Sequence, residues 1–567
     1  MSKKVCLGIN SAGFNTSCSL FIDNKLFFAV EEERLNREKR TRKFPIKAVK
    51  YIFEKFSLKL EDIDFIAIGW NPAINLENLN TAFNFGQTRF LGEIFHNVVN
   101  NFINFDPDVG DMSEQIIHYK KKKIHIFFVR HHLAHASSYY LSDFTSSSIL
   151  TIDAFGEKQC TEFFLGNGSK ISSICSQEFP HSLGSFYSAF TSFMGFKPQS
   201  DEWKLMGASA YGEEKRFLKK LEELIYPIKD GFELNLNYFN HFQFHRPGLF
   251  SDKLIDHLGI KPNEHEKKLS KEYYDLSAGV QKTFENICIH LMRRLFKFTQ
   301  NKNLVFSGGC ALNCSLNGKI LSNTPYKKVF IPPFPDDSGV AIGSALFVNH
   351  TIFNKKKVNK LIHNYLGPSF SDNEIKKILE TYKLNFKFLN NPEKVAVRDI
   401  CEGKVIGWFQ GGLEFGDRSL GNRSILADPR RQQMKDKVNY LIKYREGFRP
   451  FAPSVLENKV SDFFINIQDS FFMSKTLQVK KEKQKLIPAV VHVDGSARLQ
   501  TVSKKINPKF YNLINNFYKV TKIPILLNTS FNVKGEPIVC SPQDAIRTFF
   551  SSGLDVLFLN NFYISKK

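Results

Sequence analysis

Two histidines four residues apart, His131 and His135, stand in a run of helix formers, VRHHLAHASSYY from Val129 to Tyr140. On a helix this spacing stacks both imidazoles on one face, one turn apart, where one divalent cation can take a nitrogen from each. On a solvated helix the same pair would be two polar side chains and nothing more, so the flanking residues decide. Upstream, KKKIHIFFV is a basic turn running into a strand; downstream, SSSILTIDAFGE is a second strand that ends on Asp153. A carboxylate at a strand end near the helix start supplies the anionic ligand that two neutral imidazoles lack. His132 is turned about 100° round the helix, so it is expected to brace the pair rather than to ligate. The glutamate of an HExxH metallohydrolase is missing.

Three further turns carry chemistry. VFSGGCALNCSLNGKI reads as strand, Gly-Gly turn and helix. Gly308 and Gly309 let a ligand approach the backbone, the helix N-terminus behind them favours phosphate, and Asn313 is placed to bond a ribose or base. KVFIPPFPDDSGVAIGSALF repeats the pattern with Asp336 and Asp337 at its tip, one of them a candidate further metal ligand. Near the start, a loop with Gly8, Ser11 and Gly13 lies between two strands and suits a phosphate cradle, with neither a Walker lysine nor GxGxxG.

Around these turns the chain reads as α/β. Residues 5–30 form strand, loop, strand, an Asn24-Lys25 turn and strand. A charged stretch follows, Glu31–Arg34 and then Arg37–Lys43, either a solvated turn or an anion-binding rim. Residues 46–57 are an amphipathic helix and 64–69 a buried strand; 75–118 are expected to be a helical insertion. Ser182 opens a Phe/Tyr-rich core helix, DEWKLMGASAYG sets Asp201, Glu202 and Lys204 against a Gly/Ala turn, and 271–299 is one long helix. At 567 residues the chain is too long for one ordinary core. We expect two large domains, the first duplicated. Beyond it, Arg418, Arg423, Arg430, Lys443, Arg445, Arg449 and Arg498 lie in or beside Gly- and Pro-rich turns, as in a lined cleft. Asn528, Thr529 and Ser530 follow the strand IPILL and are placed to cap a helix or hold a phosphate.

The chain is 42% hydrophobic and carries a net charge of +22. The basic residues are spread along its whole length, which argues against nucleic acid and fits a small anionic substrate. The nine cysteines form no CxxC pair and read as reduced thiols. With no secretory core and no apolar run able to span a bilayer, a cytoplasmic protein is expected. Nothing in the sequence excludes a homodimer.

Several long blocks then carry a resemblance. VEEERLNREKRTRKFP, HHLAHASSYY, DEWKLMGASAYG, SGGCALNC and PPFPDDSGVAIG resemble successive blocks of the NodU/CmcH O-carbamoyltransferases, which include tobramycin carbamoyltransferase-like enzymes. YLGPSF, WFQGGLEFGDRSLGNRSILADPR, YREGFRPFAPSV, HVDGSARLQTV and LLNTSFNVKGEPIV continue it in order to the end of the chain. The resemblance implies an actin/sugar-kinase/heat-shock-like duplicated domain over 1–358 that binds metal and nucleotide and transfers the carbamoyl group. It also implies a YrdC-like twisted α/β domain over 359–567 that makes carbamoyl-adenylate from carbamoyl phosphate and ATP with Mg2+.

Further implications concern residues. The metal, iron(II) in the family, would be held by His131, His135, Asp153 and Asp337; manganese or zinc also suits these ligands. Gly308, Gly309, Asn313, Arg418, Lys443, Arg449, Arg498, Asn528 and Ser530 would bind nucleotide or carbamoyl phosphate. Lys443 and Arg449 would act catalytically by neutralising phosphate charge, alongside His131 and His135. The acceptor would be a hydroxyl of a sugar-containing compound or secondary metabolite. Two positions depart from the family. Phe14 and Asn15 stand where many relatives have a histidine and an acid, so Phe14 cannot serve as a base. Asp417 stands where proline is usual before Arg418. The alternatives are a tRNA threonylcarbamoyladenosine-type transferase, whose histidines are separated by Glu and Gly, and a non-catalytic nucleotide-binding protein.

Overall fold

The computed structural model describes residues 4–71, 111–243, 248–265, 267–355, 357, 360–445 and 447–566. The chain divides into two compact units, Met1–Ala29 with Arg42–Lys360, and Val30–Thr41 with Leu361–Lys567. The charged stretch near the N-terminus therefore belongs with the C-terminal residues.

In the first unit β1 (Val5–Asn10), β2 (Ser17–Ile22) and β3 (Lys25–Glu31) are consecutive neighbours in one sheet. The β2–β3 turn is Asp23-Asn24, with φ of 50° and 63°, a left-handed pair that Asp and Asn tolerate. It lies one residue before the pair expected from the sequence. β4 (Phe65–Ile68) joins β1 in parallel, β6 (Lys122–Val129) joins β4 in parallel, and β5 (Met112–Tyr119) closes the edge antiparallel to β6. The expected helical insertion over 75–118 is thus corrected at its end, because 112–118 are strand. Residues 72–110 lie outside the described residues.

A second sheet repeats this plan. β7 (Ser146–Ile152), β8 (Gln159–Asn167) and β9 (Lys170–Glu178) form an antiparallel meander. A small hairpin of β10 (Ile225–Ile228) and β11 (Gly231–Leu234) follows. β12 (Asn303–Ser307) then adds in parallel beside β7, and β13 (Lys328–Phe330) in parallel beside β12. The orders β3-β2-β1-β4-β6-β5 and β13-β12-β7-β8-β9 share one topology, a three-stranded meander extended by parallel strands from its first member. DEWKLMGASAYG is helical over Glu202–Ser209 rather than a turn, because Leu205, Met206 and Ala208 are good helix formers.

The helices used below are α1 (Glu32–Asn36), α2 (Ile46–Lys55), α3 (His131–Ala136), α4 (Lys271–Thr299), α5 (Cys314–Asn323), α6 (Val340–Thr351) and α7 (Pro508–Thr521). α2 and α4 form where periodicity places them.

The second unit is built on a mixed nine-stranded sheet: β14 (Lys387–Phe388), β15 (Ile406–Phe409), β16 (Arg423–Ala427), β17 (Ala452–Leu456), β18 (Lys475–Gln478), β19 (Ser496–Val502), β20 (Ile525–Ser530), β21 (Val556–Leu559) and β22 (Phe562–Ser565). Their order is β14-β22-β21-β15-β16-β20-β17-β19-β18 among the described residues. α7 covers it with Phe510, Leu513, Ile514 and Phe517, all fully buried at helical spacing. Asn507 caps that helix at the Phe510 amide (3.1 Å), and Pro508 starts it.

Candidate metal centre and anion site

β6 delivers the chain into α3, and α3 carries His131 and His135. Their Nε2 atoms lie 3.2 Å apart. Asp153 follows the end of β7, and Asp337 stands just before α6. His135 Nε2 is 3.2 Å from Asp153 Oδ2 and 3.9 Å from Asp337 Oδ1; His131 Nε2 is 4.0 and 3.6 Å from the same two atoms. Metal–ligand bonds of about 2.1 Å set neighbouring ligands about 3.0 Å apart in an octahedron and about 3.4 Å in a tetrahedron. The four donors all lie within 4.8 Å of one another, so these residues fit a divalent cation.

Three of the four ligands, His131, Asp153 and Asp337, are braced from behind. His131 Nδ1 faces the Gly69 carbonyl at 3.2 Å, which leaves the Nε2 lone pair for the centre. Asp153 Oδ1 accepts from the Ala154 amide (2.7 Å) and Oδ2 from the Gly309 amide (3.0 Å). Asp337 Oδ2 accepts from the Phe14 amide (3.1 Å), and Asn15 Nδ2 donates to Asp336 Oδ2 (2.8 Å). A Cβ on Gly13 would lie 2.4 Å from Asp337 Oδ2, so only glycine lets the loop close on that carboxylate. His132 stays outside the quartet, with Nδ1 2.8 Å from Thr151 Oγ1.

The charges oppose burial. Burial and the neighbouring His135 push the His131 imidazole down to about 4, so it is neutral. Burial also works against charge on His135, but the hydrogen bond and charge of Asp153 outweigh it and raise that imidazole. Asp337 is pushed up to about 7 by burial and then by the Asp153 charge.

The structure adds two residues that sequence reasoning missed. Glu157 is buried and accepts amide hydrogens from His131 (2.9 Å) and Asn71 (2.7 Å). Its only signal was an acid four residues beyond Asp153. Phe14 contributes a backbone amide, for which its side chain gives no sign.

Gly308 has φ 89°, and a Cβ there would lie 2.3 Å from the Ile152 carbonyl oxygen. This turn hugs β7 and delivers the Gly309 amide to Asp153. Asn313 caps α5 through the Leu316 amide (3.0 Å) and exchanges two amide bonds with Gln281 of α4 (2.9 and 3.0 Å). Its side chain is engaged within the unit.

In the second unit Lys443 is buried. Its Nζ meets the carbonyl and hydroxyl of Ser530 (2.5 and 3.2 Å) and the carbonyl and Oδ1 of Asn532 (3.0 and 2.6 Å). Burial, then the charges of Arg445, Arg449 and Lys39, hold this ammonium well below its ordinary value. Lys39 thus joins the basic set from the charged stretch of the sequence. Asp417 is held below the usual carboxylate range against burial by Arg40, Arg418, Arg34 and Lys39. An acid in that position therefore braces the cations around it.

Asn528, Thr529 and Ser530 do not follow a strand; they are the end of β20. None caps a helix. The Asn528 amide donates to Ser419, Ser454 and Gln500, while its Oδ1 is buried without a partner among the described residues. Arg498 Nε donates to the Met473 carbonyl (2.8 Å). Two of the seven basic residues hold the fold instead of lining a cleft. Arg423 is fully buried and donates to the carbonyls of Gln410 (2.6 Å) and Pro368 (2.9 Å). Arg430 grips the fully buried Asp428 with two nitrogens (2.9 and 2.7 Å).

No helix among the described residues is long and apolar enough to cross a membrane. The chain matches two family models, "Carbamoyltransferase N-terminus" over residues 5–346 and "Carbamoyltransferase C-terminus" over 397–566. It is 35% identical to an uncharacterized protein of Synechocystis sp., over 99% of this chain and 96% of that one. It is 35% identical to Nodulation protein NolNO of Sinorhizobium fredii (96% of this chain, 78% of that one) and 36% identical to Nodulation protein NolO of Bradyrhizobium diazoefficiens (77% and 79%). With both halves matched in order and relatives aligned along nearly the whole length, the chain belongs to the carbamoyltransferase family and is a transferase enzyme of the NodU/NolO type.

Proposed function

We propose that this enzyme makes carbamoyl-adenylate in its second unit and transfers the carbamoyl group to an acceptor hydroxyl in its first. The observation that carries the reading is the division of chemistry, with a carboxylate–imidazole quartet in one unit and a crowded cationic set in the other. The repeated meander of the first unit supports an actin/sugar-kinase-like fold. The mixed nine-stranded sheet of the second is in keeping with a YrdC-like one.

In the second unit water would release carbamate and phosphate from carbamoyl phosphate. A carbamate oxygen then attacks the α-phosphorus of Mg2+-bound ATP, and pyrophosphate leaves. Lys443, Arg449, Arg418 and Arg498 meet the developing phosphate charge. Ser530 and the unpartnered Asn528 Oδ1 are placed to orient the nucleotide. In the first unit the acceptor oxygen attacks the carbamoyl carbon and AMP leaves. A divalent ion held by His131, His135, Asp153 and Asp337 would supply positive charge for the adenylate phosphate and the carbamoyl oxygen. Gly69, Gly309 and Phe14 hold those side chains in place. The Gly308-Gly309 turn lies beside them, where the nucleotide half of the donor would sit, while Asn313 holds that turn's helix to α4. A sugar-containing or secondary-metabolite hydroxyl is the acceptor class that the family resemblance implies.

The test is exchange of labelled pyrophosphate into ATP by the purified enzyme. Exchange is expected only when carbamoyl phosphate is present. Its absence, or exchange independent of carbamoyl phosphate, would sink the adenylate reading.

A further inference from the structure

The charged run after β3 contributes more than cations. In the second unit Glu31 is 2% exposed, Glu33 6% and Arg34 3%. Arg34 Nε donates to Glu31 Oε2 (2.8 Å), and Nη1 donates to Glu33 Oε1 (2.5 Å). The remaining nitrogen, Nη2, donates to the carbonyl of Gly416 (3.0 Å), and Glu31 Oε1 accepts the amide of that same Gly416 (3.0 Å). One buried ion pair therefore closes on both polar backbone groups of a single residue, two positions before Arg418.

The far side of the loop is pinned as well. Glu414 Oε1 accepts the amides of Leu420 (2.6 Å) and Asn422 (2.8 Å). Asp417 and Arg418 stand half-buried between these two clamps. The strap itself is anchored: Glu33 Oε2 takes the Arg40 amide (2.7 Å), and Arg37 donates to the carbonyls of Pro537 (2.9 Å) and Ile538 (2.7 Å). A buried ion cluster of this kind is a poor route to stability, because apolar side chains of similar volume would serve as well. What it supplies is a fixed backbone position.

We propose that Arg34, aligned by Glu31 and Glu33, is a positioning residue that holds the Gly416 peptide so that Arg418 meets the anionic substrate already in place. The proposal rests on the reading of the second unit given above. A guanidinium on a pinned loop loses less freedom when carbamoyl phosphate or ATP binds than one on a loose loop. The clamp therefore acts on substrate binding through Arg418.

Arg34→Lys keeps a positive charge between the two carboxylates but lacks the planar fork that also reaches Gly416. In the full-length enzyme, R34K is expected to raise the KM for carbamoyl phosphate in pyrophosphate exchange about tenfold. It should also speed hydrogen exchange of the amides of 416–422. Leu513→Ala, on the core face of α7, loosens the same unit without touching the loop. It should lower the melting temperature and leave that KM unchanged. R34K with unchanged KM and unchanged loop protection would overturn the proposal, as would KM values that follow melting temperature equally in both variants. If the unaltered enzyme catalyses no exchange, the adenylate reading fails by itself. Loop protection and calorimetric titration of carbamoyl phosphate then decide the clamp separately.

Discussion

Four ligands from three segments of the first unit converge on one point, with every donor atom within 4.8 Å of the others. The seven basic residues first read from the second unit scatter into different tasks. Lys443 gathers the oxygens of Ser530 and Asn532, Arg423 is sealed in the core, Arg430 holds Asp428, and Arg498 is tied to Met473. The difference follows from what is bound. A cation demands short contacts to each donor, so each donor must sit where an element starts or stops. A polyanion asks only for nearby charge, and the same guanidinium that meets phosphate also satisfies buried carbonyls.

The largest expected effects cross the two sites. His131→Ala should weaken divalent-metal binding more than about 100-fold and abolish carbamoyl transfer, while pyrophosphate exchange continues. Lys443→Met, close in volume, should cut exchange about 100- to 1000-fold and leave metal binding unchanged. Metal titration and exchange assays on both variants check this. Loss of both activities in either folded variant would break the division between the units.

That contrast also explains what the sequence could disclose. The i, i+4 histidines and Asp153 were legible because helical period and a strand end give a side chain an address, whereas Asp337 was one of two acids at a turn tip until the family resemblance singled it out. The amide of Phe14 was not, since a backbone donor leaves no trace in residue type. Glu157 was missed for a related reason: its partners are the main-chain amides of His131 and Asn71. In the second unit Arg418 and Arg423 sit five residues apart in one Gly-rich block. Residue type cannot tell the loop tip from the first position of β16. The charged stretch reads equally as a rim or a solvated turn because neither reading anticipates that 30–41 joins the C-terminal residues. Topology was legible where turn residues break apolar runs, as at Asp23-Asn24 and Gly308-Gly309, and it failed over 112–118, where an edge strand carries mixed polarity.

A middle-sized effect separates the structural arginine from the others. Arg423 is fully buried, stacks 3.6 Å over the Phe409 ring, and offsets the charge of Glu414. Arg423→Met should cost about 3–5 kcal/mol, because the buried Glu414 loses the charge that offsets its own and the carbonyls of Gln410 and Gly411 lose the guanidinium that donates to them. Thermal or denaturant unfolding checks it. The KM for carbamoyl phosphate of the folded fraction should stay unchanged, and a KM effect without loss of stability would return Arg423 to the ligand site.

The smallest effects have opposite signs at the two sites. A metal must displace any proton its ligands carry. Asp337, pushed up to about 7 by burial and by Asp153, holds one below that pH, whereas an ordinary carboxylate is ionised down to about 4. His131, pushed down to about 4, adds nothing to the change between pH 8 and 6, while His135, raised by Asp153 against burial, acts in the same direction as Asp337. Metal affinity should therefore fall as pH drops through about 7, at most about tenfold per unit for each proton displaced. Zn2+ titration at pH 8, 7 and 6 reads it, and Asp337→Asn should bind more weakly with a flatter profile. Lys443 works the other way. Burial and the neighbouring cations hold its ammonium well below the ordinary lysine value, and an anion binds best to the protonated form. Affinity for carbamoyl phosphate should fall as pH rises through that lowered value, and Lys443→Arg should remove the dependence because a guanidinium keeps its proton. Profiles of the same sign at both sites would mean that one titrating group governs the two.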